Sequence, residues 1–348
     1  MRVLGLWIVL GWCSLFMAWG SVATAAPSFN VSTFEVEVTV PLGHALMGGG
    51  IEPAKEIVTP LYAQGIVLLG ADAPIVWLSV DWCEIRNDAY DAWRDALAEA
   101  AGTTRERVLL AAIHQHDTPV ADFGAQALLD EVGLEKSLCD VPFVKDCIAR
   151  SAQALRDSLD TAVPVTHYGV GQAVVAGVAS NRRIVPEDGT PVYHRNSSAS
   201  DARMREYPIG LIDPILRTLS FWNGEQPVAA MSTYAVHPMS YYGEGGVSGD
   251  FIGLARAQMQ LEIPEARYLY FSGCSGDVVA GKYNDHSPEE RPKLAGRLYA
   301  AMHEAWVKTQ RYPLETVGFT LSTLHLPMRE TENFTESEQR AVLADSEA

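Results

Sequence analysis

Past its N-terminal stretch the chain has no run of about 18 apolar residues, so nothing later in it reads as a helical membrane span. Basic residues are scarce: 26 Lys and Arg stand against 43 Asp and Glu, a net charge of −17 over 348 residues. That balance argues against nucleic acid as a partner, and against an anionic membrane surface as the main one, because both reward clustered cations. Cysteine is sparse too, at five, and a chain of this length builds its core without disulfide staples. No internal repeat or low-complexity run appears.

What is present begins with Met1-Arg2-Val3, an apolar stretch from Leu4 to Trp19, and the small-x-small sequence Ala23-Thr24-Ala25. This is the pattern of an export signal cut after Ala25, so a periplasmic or extracellular location is expected. Roughly 320 residues then remain, read as a single α/β domain over 26–348. Export permits disulfides, and Cys139 with Cys147 are close enough in sequence to close a short bridge. Cys83 and Cys274 adjoin apolar strands and are expected as buried thiols.

Alternation predicts strands over Val31–Pro41, Leu61–Leu69 and Ala73–Val80, the last two joined by a hairpin at Gly70-Ala71-Asp72. Helical spacing follows through Trp93, Leu97 and Ala101 to Gly102, then a strand over Val108–Ile113. A helix over Pro142–Leu159, strands through Thr166–Val178, and a polar loop from Asn181 to Glu206 come next. Strands over Ile215–Phe221 and Val228–Val236 flank a turn at Asn223-Gly224-Glu225. A helix after Asp250, a strand over Tyr268–Phe271, a helix opened by Pro292, and a last strand over Val317–Leu326 complete an α/β pattern with layered sheets.

Two histidine segments stand where such strands end: Ala112-Ile113-His114-Gln115-His116-Asp117, and Tyr234-Ala235-Val236-His237-Pro238-Met239-Ser240. In extended backbone, residues i and i+2 share a face, so His114 and His116 are expected in one cleft, with His237 joining from a neighbouring strand. Imidazoles so arranged hold first-row metals, zinc above all. Nine histidines at this length give about 0.2 chance His-x-His pairs, so the pair alone does not establish a site. Asp81, Asp117, Asp250 and Asp277 each follow a strand or glycine turn, as ligands, partners that fix a histidine tautomer, or helix caps; a cap is expected of Asp250. Gly273-Cys274-Ser275-Gly276 has the look of a nucleophile elbow with His237 or His286 as base, but Asp277 stands where its last glycine belongs.

In order and spacing, Ile113 to Pro119, Ser180-Asn181-Arg182-Arg183, Ala235 to Ser240, Ser248-Gly249-Asp250 and Ser272 to Val278 resemble the neutral/alkaline, non-lysosomal ceramidase family, over residues 31 to about 285. The resemblance implies an α/β catalytic domain of layered mixed sheets flanked by helices. It implies a zinc amidase that splits N-acylsphingosine into sphingosine and a fatty acid. By position, His114 and His237 match zinc ligands, and His116 lies beside the metal and assists substrate or transition state. Arg182 lines the site, where a fixed guanidinium suits a developing oxyanion; Asp277, in the family's Gly-Asp-x-Ser segment, is a third candidate catalytic residue. A ceramide-like or other N-acyl lipid substrate follows, and with it peripheral membrane contact.

Two departures accompany the likeness. Val279 takes the serine position of that segment, which removes a serine-nucleophile version of the chemistry and leaves metal-activated water untouched. The family's remaining zinc ligands, a glutamate and a tyrosine, have no match before Ala348, so the expectation is a truncated chain or a relative whose site is completed otherwise or not at all. The alternative left open is a non-catalytic lipid- or glycan-binding relative with an incomplete metal site.

Overall fold

Period-two alternation of apolar residues builds two five-stranded sheets in the computed structural model, which describes residues 28–346 except 186–188, 190–192, 328 and 332. The expected export signal at 1–25 lies outside the described residues. The first sheet holds β1 (Phe29–Glu37), β2 (Tyr62–Leu69), β3 (Ile75–Val80), β4 (Val108–Ala112) and β5 (Val163–Val165), in spatial order β4-β3-β2-β1-β5. Only β3 and β4 run parallel in it. The hairpin between β2 and β3 turns at Gly70, with φ +94, where a β-carbon would fall 2.5 Å from the Ser28 carbonyl oxygen. Glycine is required there.

The second sheet holds β6 (His167–Val174), β7 (Ile215–Asn223), β8 (Gln226–Tyr234), β9 (Arg267–Ser272) and β10 (Gln310–Pro313), in order β9-β8-β7-β6-β10. Again one pair, β8 with β9, is parallel. Helix α1 (Asn87–Ala101) and α2 (Val141–Leu159) cover the first sheet, and α3 (Asp250–Glu262) and α4 (Glu290–Val307) the second. Trp93, Leu97 and Ala101 form the buried stripe of α1, four residues apart as an amphipathic helix requires. Asp140 caps α2 by accepting from the Phe143 N–H, and Pro142 sits in its first turn, where a missing N–H costs nothing.

The pleat sorts side chains into layers. On β2, Val67 faces the helices while Ile66 and Leu68 face the other sheet; on β8, Ala230 and Tyr234 face the helices while Ala229 faces inward. The inner layer joins Phe29, Val31, Ile66, Leu68 and Ile75 to Phe221, Ala229 and Leu269. Each such large side chain contributes about 1.5–3 kcal/mol by leaving water. The result is a four-layer α/β/β/α arrangement, the mixed α/β fold expected. Two hydroxyls tie the sheets where their parallel pairs meet: Ser79 donates to the Tyr270 carbonyl at 2.5 Å, and Ser272 to the Ile113 carbonyl at 2.7 Å.

Four expectations are corrected. Val317–Leu326 forms no strand; Gln310–Pro313 takes the edge of β6 instead, proline cannot extend the ladder, and Leu321, Leu324 and Leu326 stay exposed. Cys139 and Cys147 are both free and buried: Cys139 precedes the cap of α2 and points at the Asp122 carbonyl, while Cys147 lies on the helix face turned to the first sheet. Cys274 is exposed, because it falls in the turn after β9 and not in the strand. The residue at the cap position of α3 is Gly249; Asp250 follows it with φ +50 and accepts from the backbone N–H groups of Phe251 and Ser240.

Candidate metal centre and its cleft

The chain beyond β4 stays beside β3 for two more residues, Ile113 N–H donating to the Val80 carbonyl and His114 N–H to the Trp82 carbonyl, each at 2.9 Å. At His114 it turns sharply, with φ +83. For a residue with a β-carbon that conformation costs about 1–3 kcal/mol and persists only where the surroundings enforce it. The convergence of His114 and His116 therefore comes from a turn, not from the pleat of an extended strand. Gln115, between them, is fully buried, and Thr118 donates to its carbonyl at 2.6 Å, closing the turn.

His237 arrives from the second sheet, three residues past β8, its N–H donating to the Val278 carbonyl at 2.8 Å. Its Nε2 lies 2.9 Å from His116 Nε2. The three rings stand nearly perpendicular to one another, with centroids 5.3 Å apart for His114–His116, 4.8 Å for His114–His237 and 4.9 Å for His116–His237. One nitrogen from each lies within 4.8 Å of the others. Burial pushes His237 down to about 3, helped by the charges of His114, His116 and Arg182 and opposed by the Ser275 carbonyl. Burial likewise pushes His116 down to about 4, with His114 and Arg182 adding to it. Both rings stay neutral at pH 7 and keep a lone pair for a cation.

His114 is oriented from behind. Its Nδ1 is 2.9 Å from the Cys83 carbonyl, 3.8 Å from Glu84 Oε1 and 3.9 Å from Cys83 Sγ. A proton on Nδ1 shared with carbonyl and carboxylate leaves Nε2 free to ligate, the outer support that metal-holding histidines usually have. His116 and His237 lack it, since the Nδ1 of each is buried without a well-formed hydrogen bond. Three imidazoles fit a borderline divalent metal, and the cluster can hold a metal ion. Glu84 escapes sequence reading, because a lone glutamate three residues past an aspartate carries no spacing signal.

Arg182 enters through a two-residue ladder in which Ser180–Asn181 pairs with Val278–Val279. Its N–H donates to the Asp277 carbonyl at 2.8 Å, its Nε to the Gly276 carbonyl at 2.9 Å and its Nη2 to Ser197 Oγ at 3.3 Å. Burial lowers its pKa, opposed by Asp277 and Tyr242. The carboxylate of Asp277 turns the other way, to Arg183 Nη2 at 3.0 Å, and does not line the cleft. His286 pairs with Ser198 Oγ at 3.0 Å and His237 Nε2 is turned to His116, so among the described residues neither candidate base is hydrogen-bonded to the Ser275 hydroxyl. Val279 is buried, its carbonyl accepting from Ser180 Oγ.

A cleft of about 530 Å³ opens beside these groups, lined by His116, Arg182, Met239 and Tyr242 and by the loop from Asn196 to Ser200. The aromatic pair Tyr241-Tyr242 divides its work. Tyr242 meets the His116 ring edge to face at 4.9 Å, whereas Tyr241 lies under the buried Arg291 guanidinium at 3.8 Å. Arg291 in turn faces Asp117 and Asp250 at 3.7 and 3.5 Å. Asp117 also accepts from the Gly243 N–H at 2.8 Å, which holds the Tyr242 loop to the histidine turn. Burial pushes Asp117 up to about 6, against the pull of Gly243 and Arg291.

Layered sheets between helix pairs, with three histidines gathered where the parallel strands end, define an α/β protein with a candidate metal centre at strand carboxyl ends, the usual site position in such sheets. Two solved structures that it resembles are ceramidases. It is similar to a ceramidase complexed with C2, at a TM-score of 0.59 and 14% identity over 82% of this chain and 44% of that one. It is also similar to the neutral ceramidase from Pseudomonas aeruginosa, at a TM-score of 0.57 and 15% identity over 82% of this chain and 45% of that one. The chain thus has the layered mixed α/β fold of ceramidases and spans less than half the length of either structure. No protein-family model and no curated protein matches its sequence.

Proposed function

We propose that this chain is a zinc-dependent amide hydrolase acting on N-acyl lipids, ceramide-like or other. The observation that carries the reading is the meeting of His114, His116 and His237, imidazoles from two sheets, with His116 at the wall of a cleft. The fold likeness to ceramidases supports the reaction class. His114 and His237 would hold the metal, His114 being steadied by the Cys83 carbonyl and Glu84. Zinc, when bound, supplies Lewis acidity toward a carbonyl and lowers the pKa of water to near neutrality.

The remaining work falls to the protein. Arg182 is fixed at Nε and Nη2 by uncharged oxygens and presents its other N–H groups to the cleft, where an oxyanion develops as the amide carbonyl becomes tetrahedral. His116, between His237 and Tyr242, has Nε2 placed to take a proton and pass it to the departing amine. Asp277 acts through its backbone, whose carbonyl sets the Arg182 N–H. The same reading puts the chain outside the cytoplasm on the strength of residues 1–25, as a single domain over 26–348.

The test is direct. Purified protein supplied with zinc should retain about one equivalent per chain by elemental analysis and release fatty acid from an N-acylsphingosine in detergent micelles. His237→Ala should lose both. A folded protein that takes up no zinc sinks the metal centre, and zinc-loaded protein that cleaves no N-acyl amide sinks the activity.

A further inference from the structure

In charge, the wall of the cleft is unlike the chain as a whole. The chain carries −17, yet among the described residues no carboxylate lines the cleft, and Asn196, Ser197, Ser198 and Ser200 set amide and hydroxyl side chains beside Arg182. Among the described residues Arg182 has no ion-pair partner. Among the described residues its guanidinium hydrogen-bonds the Gly276 carbonyl and the Ser197 hydroxyl, which engages two of its five N–H donors. The nearby carboxylate of Asp277 is taken by Arg183.

A second cation without an ion-pair partner among the described residues stands behind the first. Arg195 is wholly buried and directs its guanidinium to four carbonyls, those of Met204, Asn181, Tyr207 and Pro208. Its own N–H donates to the Arg182 carbonyl at 2.6 Å, so the two arginines occupy facing backbone positions. Lys282 is held in the same way, by the carbonyls of Arg205 and Tyr207 at 2.6 Å each. Positive charge taken out of water without a counter-ion is costly, and its field persists where solvent screening is weak.

We propose that the ligand of this cleft carries a negative charge beside its amide, as in an N-acyl amino acid, in preference to an uncharged N-acyl sphingoid base. The scissile amide rests on the hydrolase reading above; the charge preference rests on Arg182, Arg195 and the hydroxyl-lined wall alone. In the reaction, the oxygen of water bonds to the acyl carbon and the C–N bond breaks with its electron pair going to nitrogen. The nitrogen takes both protons of that water, and a fatty carboxylate and a free amino acid with its ammonium group result. No oxidant or co-reactant beyond water is required.

Equilibrium binding to the whole chain separates the possibilities, using N-decanoylglycine and its uncharged carboxamide in isothermal titration at about 20 mM and about 300 mM salt. The carboxylate should bind about tenfold tighter at low salt, with the advantage shrinking at high salt. Arg182→Met should abolish the difference, and Arg182→Lys, which keeps the charge, should retain most of it. Equal binding of the two, tighter binding of the carboxamide, or binding of neither overturns the proposal. If zinc-loaded protein cleaves uncharged N-acyl amides without preferring the carboxylate, the charge inference fails while the hydrolase reading stands. Charge-selective binding with no cleavage of either compound has the reverse meaning.

Discussion

Asp81 and Arg256 form a buried, two-armed ion pair, with both oxygen–nitrogen distances at 2.6 Å. Asp81 follows β3 in the first sheet and Arg256 lies in α3 over the second, so the pair fastens the halves of the molecule just behind the histidines. The same carboxylate accepts the Tyr62 N–H at 2.9 Å. Asp81 was a candidate metal ligand by position; its oxygens are committed to the guanidinium and to this backbone group.

Breaking that pair on one side should be expensive. Asp81→Asn or Arg256→Met leaves one buried charge unpaired, with an expected loss of about 3–5 kcal/mol in denaturant unfolding. Combining Asp81→Asn with Arg256→Met should cost less than the two single losses added together. Additive losses would mean that the partners act independently.

Metal binding should appear as stability. Zinc at about 100 times its dissociation constant should add about 2.7 kcal/mol to unfolding free energy. His237→Ala and His114→Ala should erase that increment in a thermal scan, whereas Asp277→Asn, whose carboxylate faces Arg183 on the surface, should preserve it. Glu84→Gln removes the charge behind His114 and should weaken zinc binding about tenfold without unfolding the chain.

His44 supplies a pH dependence remote from the cleft. Its Nδ1 donates to the Ala45 carbonyl at 2.7 Å and its Nε2 accepts the Asp140 N–H at 3.3 Å, an arrangement only the neutral ring can make. Burial holds its pKa below the ordinary 6.5, against opposing contributions from Ala45 and Asp140. The unfolded state therefore binds the proton more readily, and this stability is complete above about pH 6.5 and is lost as pH falls below it. Denaturant midpoints at about pH 7.5 and about pH 5.5 should differ less in His44→Gln than in the parent. An unchanged difference would assign the acid sensitivity elsewhere.

Thiol reactivity should report the cysteine arrangement. Cys274 is exposed, while Cys83, Cys139 and Cys147 are buried. Burial pushes the thiols of Cys83 and Cys147 up to about 12, against the pull of Arg86 and Arg150 respectively. A chain lacking residues 1–25 should give one rapid reaction with a thiol reagent when native and three more on unfolding. Two fewer groups in total would indicate that Cys139 and Cys147 are joined after all.

Local pattern carried much of the fold. The hairpin at Gly70-Ala71-Asp72, the turn at Gly224, the Trp93-Leu97-Ala101 stripe and the helix over Pro142–Leu159 depend on residues within one turn or one strand of each other, and short-range rules read them. The segment Val317–Leu326 alternates as convincingly, but a strand needs a vacant edge. Gln310–Pro313 already lies along β6, and nothing within the segment records that.

The sequence by itself determined that histidines would sit at strand ends, since this follows from spacing and residue type, while Arg182 was reached only through the family likeness. Only the tertiary structure decided that His116 and His237, 121 positions apart, approach to 2.9 Å, and that Asp277 turns its carboxylate away while Glu84 comes up behind His114. The physical reason is that the cluster belongs to neither sheet. It exists because Ser79 and Ser272 lock the ends of two sheets together and because His114 accepts a strained backbone turn. Contacts between distant elements of that kind leave no periodic trace in the chain.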